Sequence, residues 1–186
     1  MQRNTFAALV FAGCAFSSSA VAAADNIYVG GNISRQTIDA DGRDFNVVSI
    51  VGGYKFGEYW SFETRLGKGV SDYSRDDLFE GISQLYKEEI DWQISTNIRG
   101  AYPVTENLSV FALVGYSQTQ REITSNSDVL DNYSFETKGI NYGAGLQYQL
   151  SEHISATLEY QIMPELEVYN GEIDWDSLAL GVQYHF

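Results

Sequence analysis

The chain has little of what crosslinks a fold, ligates a metal or binds a polyanion. Its 186 residues include one Cys, two His and two Pro, and 11 Lys and Arg stand against 25 Asp and Glu, a net charge of −14. A single Cys excludes a disulfide framework, and so few Cys and His argue against a zinc site. Nucleic-acid binding depends on clustered Lys and Arg, so the charge excludes a nucleic-acid partner. We also expect no cofactor.

The N-terminal residues have the pattern of a secretory signal. A positively charged start precedes an apolar run over residues 6–16, and A-x-A cleavage sites end at Ala22 and Ala24. The run is too short for a spanning helix, which needs ~20 residues. We therefore predict that residues 1–24 are cleaved and that residues 25–186 form one domain. The single Cys falls within the cleaved part.

From residue 25 onward, apolar and polar residues alternate with a period of two, which predicts β-strands. Each predicted strand has one apolar face and one polar face. Eight such segments cover residues 27–33, 48–56, 60–66, 90–102, 108–116, 140–150, 154–162 and 178–186. An even number of strands suits an up-and-down closed sheet.

The connections between these segments alternate in length. Short turns are predicted at residues 57–59, 103–107 and 151–153. Long polar loops are predicted at residues 36–44, 67–89, 117–132 and 163–172. Short turns at one end and long loops at the other are typical of a transmembrane barrel, in which the turns are periplasmic.

Two features of the long connections leave alternatives open. The apolar residues within 78–86 have helical spacing, so this stretch is a short helix, an extension of the strands beyond the membrane, or an apolar contact patch. Trp175 has the opposite parity from Phe186, so it points inward or lies beyond a bulge.

The two strand faces decide between a soluble and a membrane barrel. The apolar face carries no charge and is aromatic near the short turns, as an interfacial girdle would be. The other face is rich in Gly, Ser, Asn and Gln, which would make a poor dry core. We predict an all-β fold, an eight-stranded antiparallel up-and-down transmembrane β-barrel. Its periplasmic girdle and terminal strand contain Phe56, Trp60, Tyr102, Tyr148, Val182, Tyr184 and Phe186.

Charged residues on the polar face are predicted to lie in the lumen. Three bases and three acids balance there: Lys55, Arg65, Arg99, Glu63, Asp91 and Glu159. Buried charges persist only when they are paired, and an eight-stranded barrel is just wide enough for side chains to fill it. We predict a lumen filled by these pairs; the alternative is solvated, unpaired lumen charges.

These residues resemble a known group, the small eight-stranded outer-membrane β-barrels of Gram-negative bacteria, of the OmpA-like, opacity-protein and OmpX/Ail kind. The resemblance covers the mature chain. It rests on Tyr-Val-Gly-Gly-Asn at residues 28–32, Gly-Tyr-Lys-Phe at 53–56, the Gly-rich stretch 139–145, Leu-Glu-Tyr at 158–160 and the ending Leu-Gly-Val-Gln-Tyr-His-Phe at 180–186. His185 departs from the Arg or Lys often found before the terminal Phe.

The resemblance implies an outer-membrane location, contact with lipid and lipopolysaccharide, and a monomer. The terminal Phe, with aromatic residues at alternate positions before it, is similar to the signal that the barrel-assembly machinery reads. The resemblance fixes no activity, since members include adhesins, stress or resistance proteins and structural anchors. We expect a non-enzymatic protein of envelope integrity or surface interaction; a small ion-conducting porin and a soluble periplasmic barrel are alternatives.

One candidate catalytic pattern occurs in the chain. His153, Ser155 and Glu159 resemble the H-x-S motif with an acid found in outer-membrane lipid A deacylases. A Ser nucleophile needs its His within hydrogen-bond reach. His153 is predicted in a periplasmic turn, the wrong end for chemistry on outer-leaflet lipid. A lipid-modifying enzyme is therefore kept as an alternative function.

The predicted long loops are strongly acidic. With their strand ends they hold eighteen acids against six bases. Asp39, Asp41 and Asp44 are weak candidates for a Ca²⁺ loop, although the Gly position and the twelfth residue do not fit an EF-hand. Divalent cations or an extracellular partner could bind this surface; the alternative is that the charge serves only solubility and repulsion.

Overall fold

Alternation along the chain produces long antiparallel strands. The computed structural model of the chain describes residues 25–39, 42–79, 82–125, 133–168 and 171–186. Within them the strands are β1 (Ile27–Ile38), β2 (Arg43–Lys55), β3 (Trp60–Gly69), β4 (Asp72–Phe79), β5 (Ile82–Pro103), β6 (Leu108–Ser125), β7 (Tyr133–Gln149), β8 (Ile154–Ile162), β9 (Leu166–Val168), β10 (Gly171–Ile173) and β11 (Trp175–His185). Among these residues no helix is long and apolar enough to cross a bilayer.

The strands close into an antiparallel barrel with eight positions. Strands β3 and β4 follow one another along β5 and share one position. Strand β1 pairs with β2 on one side and with β11 on the other, which closes the sheet. Strands β9 and β10 form a separate small hairpin between β8 and β11. The predicted eight-stranded up-and-down barrel is confirmed.

The strands extend far into the segments predicted as long loops. Within residues 36–44, residues 36–38 belong to β1 and 43–44 to β2; within residues 67–89 lie the end of β3, all of β4 and the start of β5. Residues 40–41 and 80–81 lie outside the described residues. The loop prediction is wrong here because antiparallel pairing satisfies the backbone groups whether or not the side chains are polar. Of the three interpretations of the stretch 78–86, strand extension is correct for its described residues, 78–79 and 82–86.

A β-bulge in β5 changes which side chains face inward. The register with β6 shifts between Ile90 and Trp92, which leaves Asp91 as the extra residue. Ile90 is consequently buried inside the barrel, whereas alternation had placed it on the lipid face. The Asp91 side chain is 45% exposed and lies 3.7 Å from that of Lys68. The prediction that Asp91 is a lumen residue is therefore corrected.

The loop end of the barrel contains an apolar core. Trp175 points into it and is 1% exposed, which resolves the two alternatives for this residue. The core forms where apolar residues take inward positions beyond the polar part of the lumen. Its members are Ile38, Phe45, Val47, Ile90, Met163, Leu166 and Trp175.

Candidate functional site

A buried ion cluster crosses the middle of the barrel. Arg65 donates to Glu63 Oε1 at 2.6 Å and to the two carboxylate oxygens of Glu159 at 2.5 and 2.8 Å. Glu63 is completely buried, and Arg65 and Glu159 are less than 10% exposed. Strands β3 and β8 lie four positions apart in either direction around the ring. The Arg65–Glu159 pair therefore spans the diameter of the lumen.

A second layer of contacts lies between this cluster and the short-turn end of the barrel. The Tyr28 hydroxyl donates to Glu63 Oε2 at 2.9 Å. Its ring lies across Gly53, where a Cβ atom would be 2.0 Å from Tyr28 Cζ. Glycine at position 53 is thus required for the Tyr28–Glu63 contact.

Arg99 is held by a polar and an aromatic neighbour in the same layer. Its Nη2 donates to Gln147 Oε1 at 2.6 Å, and its guanidinium carbon lies 3.8 Å from the centre of the Phe111 ring. The nearest carboxylate, that of Glu63, is 4.0 Å from Nη1. Since Glu63 is already bonded to Arg65 and Tyr28, Arg99 is oriented mainly by Gln147 and Phe111.

Amide and hydroxyl side chains fill the lumen between the ion cluster and the apolar core. Gln36 Nε2 donates to Gln93 Oε1 at 2.9 Å, and Gln93 Nε2 donates to Thr119 Oγ1 at 2.8 Å. A cavity of about 20 Å³ remains among these residues. That volume suits a single water molecule.

Lys55 lies at the short-turn end of the lumen, apart from the ion cluster. It is half-buried and lines a cavity of about 280 Å³ together with Arg99, His185 and Gln147. Of the six residues predicted to form the lumen charge network, the structure brings Glu63, Arg65, Glu159 and Arg99 close together. Lys55 lies below them and Asp91 lies outside. The three bases and two acids that remain have a net charge of +1.

A second ion cluster, missed in the sequence, occupies the loop end. Glu88 accepts from Arg43 at 2.7 Å and from Arg121 at 2.6 Å, and Glu88 is 5% exposed. Glu88 had been counted among the loop acids. Its inward direction follows from the bulge at Asp91, which reverses the parity of residues 87–90 relative to the rest of β5.

The candidate catalytic residues do not converge in the structure. The Ser155 hydroxyl lies 2.9 Å from Nε2 of His185, not of His153, and Ser155 is fully buried. His153 Nδ1 instead lies 3.0 Å from the carbonyl oxygen of His185. Glu159 is occupied by Arg65. A triad of His153, Ser155 and Glu159 is absent from this arrangement.

The weak calcium candidates are only partly described. Asp44 accepts from Arg35 at 2.6 Å and from Thr37 at 2.7 Å, and Asp39 is an exposed turn residue. Asp41 lies outside the described residues, as do residues 1–24 of the predicted signal. In the described part of the chain no group of three or more His, Cys, Asp or Glu could hold a metal ion.

The aromatic residues predicted as a periplasmic girdle all face outward at the short-turn end. Two of them contact each other, with the rings of Tyr184 and Phe186 at 5.2 Å in an edge-to-face arrangement. The girdle and terminal-strand residues are between 44% and 64% exposed: Phe56, Trp60, Tyr102, Tyr148, Val182, Tyr184 and Phe186. An outer surface this apolar suits a hydrocarbon solvent and not water.

Comparisons with known proteins agree with this geometry. A model of the outer membrane protein β-barrel domain matches residues 6–186. Neisserial surface protein A has a similar solved structure, with a TM-score of 0.61 and 12% identity over 86% of this chain and 97% of that chain. Ail of Yersinia pestis, solved with the heparin analogue sucrose octasulfate, is similar with a TM-score of 0.57 and 16% identity over 87% of this chain and 97% of that chain.

OprG of Pseudomonas aeruginosa is also similar, with a TM-score of 0.57 and 12% identity over 87% of this chain and 97% of that chain. At such identities the likeness shows the fold alone. A search of curated proteins found no match.

Proposed function

Because the chain belongs to the outer membrane protein β-barrel domain family, we propose that it is a non-enzymatic barrel with a lumen filled by side chains. The protein is located in the outer membrane of a Gram-negative bacterium, where its outer face contacts lipid and lipopolysaccharide. Its proposed role is envelope integrity or surface interaction, carried out by the outer surface and the loop end and not by transport through the lumen.

The Arg65–Glu159 pair is the observation that carries this proposal. It joins opposite walls of the barrel, and Glu63 and Tyr28 extend it toward a third wall. Above it, amide side chains and then the apolar core occupy the interior. These layers support a lumen without a continuous water path, as expected for an eight-stranded barrel.

Planar-bilayer recordings test the filled lumen. The wild-type protein should give no conductance steps. A variant with Arg65→Ala and Glu159→Ala, which removes the pair that spans the lumen, should show a higher ion conductance. A matched control with Lys68→Ala and Asp91→Ala removes an exposed pair from the outer surface and should behave as wild type. Regular steps from the wild-type protein would favour the alternative of a small porin.

The proposed surface role follows from the sign of the loop charges. Ail was solved with a sulfated heparin analogue, but the acidic excess at the loop end of this chain opposes a polyanion. A basic partner or bridging divalent cations fit that charge. Removing the protein from cells should increase their sensitivity to EDTA and detergent if the role is envelope integrity. Unchanged sensitivity, with reduced binding to basic surfaces, would point to interaction instead.

Maturation and assembly complete the proposal. We expect cleavage after Ala22 or Ala24, insertion by the barrel-assembly machinery through the C-terminal strand, and a monomer in the membrane. Mass spectrometry of the purified protein measures the cleavage site directly. Light scattering in detergent measures the oligomeric state.

The enzymatic alternative has a separate test. Burial of Ser155 and its contact with His185 in place of His153 argue against a nucleophile at this position. Lipid A from wild-type cells and from a deletion strain should therefore have identical mass spectra. A difference that Ser155→Ala reproduces would support a lipid-modifying enzyme.

A further inference from the structure

The periplasmic half of the lumen has an unbalanced positive charge. Glu63 and Glu159 face Arg65 and Arg99, and these four charges cancel. Lys55 adds one more base, and the acid that sequence parity had assigned to the lumen, Asp91, is placed outside by the bulge. Among the described residues no carboxylate forms an ion pair with Lys55. A half-buried cation without a partner is costly unless an anion accompanies it.

The space beside Lys55 is large enough for such an anion. The cavity at the periplasmic mouth measures about 280 Å³. One water molecule needs only ~10–15 Å³ of such volume, so the cavity has ample room for a small anion with several waters. Lys55 and Arg99 both line it, so two cations face one opening. Glu58 also lines the rim and remains an anion while it accepts a hydrogen bond from Tyr59, which raises the pKa of the Tyr59 hydroxyl. Its side chain is exposed, so water screens its charge more than that of half-buried Lys55.

The wall of this cavity is held in place by contacts that do not depend on a ligand. Arg99 is fixed by Gln147 and Phe111. His185 bonds to Ser155, and its ring packs on Tyr28 at 5.4 Å between centroids. A preformed, positively charged pocket with fixed donors suits a phosphate or carboxylate group, since little ordering is needed on binding.

We propose that this cavity is an oxyanion-binding site open to the periplasm, in which Lys55 and Arg99 hold one phosphate or carboxylate group. The group belongs either to a free periplasmic anion or to the headgroup of an inner-leaflet phospholipid. The site is independent of the filled lumen above it. It would bind in the same way whether or not the barrel conducts ions.

The test is a titration followed by NMR. The ¹⁵N-labelled protein is prepared in octyl glucoside, whose headgroup carries no phosphate, and inorganic phosphate is added at constant ionic strength. The amides of Lys55, Arg99 and His185 should shift and saturate. Lys55→Gln should weaken binding at least tenfold, and Lys55→Arg, which keeps the charge, should restore it. Lys68→Gln removes an equal charge from the outer surface and should bind as wild type.

A second titration distinguishes the two sources. Phosphatidylglycerol added to the same micelles should shift these amides if the site takes a lipid headgroup, and a response to this lipid alone would identify the headgroup as the ligand. A response to inorganic phosphate identifies a free anion. The absence of saturable shifts with both probes, or equal shifts in Lys55→Gln and Lys68→Gln, would overturn the proposal.

Discussion

Replacement of Arg65 by methionine should strongly destabilise the barrel. Arg65 is the only cation bonded to both Glu63 and Glu159 among the described residues, through contacts of 2.5 to 2.8 Å. Arg65→Met keeps much of the aliphatic volume of the side chain but leaves two buried carboxylates without the guanidinium group that bonds them. Breaking a buried ion pair by removing one partner costs about 3–5 kcal/mol. We expect a loss of this size in the free energy of unfolding.

Urea unfolding in lipid vesicles, followed by the gel shift between folded and unfolded protein, measures this loss. Lys68→Met provides the control, since Lys68 is on the same strand but its pair with Asp91 is exposed. Exposed pairs contribute about 1 kcal/mol or less. A triple variant, Glu63→Gln, Arg65→Met and Glu159→Gln, removes the charge of Arg65 together with those of the two carboxylates that it bonds. It leaves Arg99 as the remaining buried charge of the cluster and should recover at least ~2 kcal/mol. The reasoning fails if Arg65→Met loses less than ~1 kcal/mol, or if the triple variant is no more stable than the single one.

Other substitutions test other parts of the interior and the terminal strand. Gly53→Ala places a methyl group within the Tyr28 ring and should lower the free energy of unfolding by about 1–3 kcal/mol. The neighbouring Gly52→Ala should be nearly neutral, because no atom lies within 4 Å of its Cβ position. Equal effects of the two substitutions in the same urea assay would contradict the packing argument. Trp175→Ala should cost about 3–5 kcal/mol by leaving a void in the apolar core, well above Leu178→Ala on the outer face, where lipid fills the space. Deletion of Phe186 should reduce the amount of folded protein in the outer-membrane fraction, measured by the unheated gel shift, without changing the amount synthesised.

Alternation alone predicts the number of strands, the outward face and most lumen residues. Every residue of the predicted girdle faces outward, because a strand without irregularities keeps its parity from one end to the other. The same rule places Glu63, Arg65 and Glu159 at inward positions. Their meeting across the barrel needed the ring order and the stagger of the strands, which composition does not contain.

The errors have one main physical cause. A bulge adds a residue without changing the local composition, so nothing in the pattern marks Asp91 as the point where β5 changes parity. The residues just before it then change faces, which brings Ile90 and Glu88 inside. The extent of the strands was underestimated because charged residues suggest loops. Beyond the membrane, however, charged side chains are tolerated on a hydrogen-bonded strand as readily as in a turn.

Strand β5 has 22 residues, and its length determines how far the protein rises from the cell. At ~3.3 Å per residue and a tilt of ~40°, it rises ~55 Å along the barrel axis, about twice the ~25 Å height of an apolar band. More than half of β5 therefore lies outside the apolar band, and β4 with the part of β5 that pairs to it forms a two-stranded ribbon beyond the lipid surface.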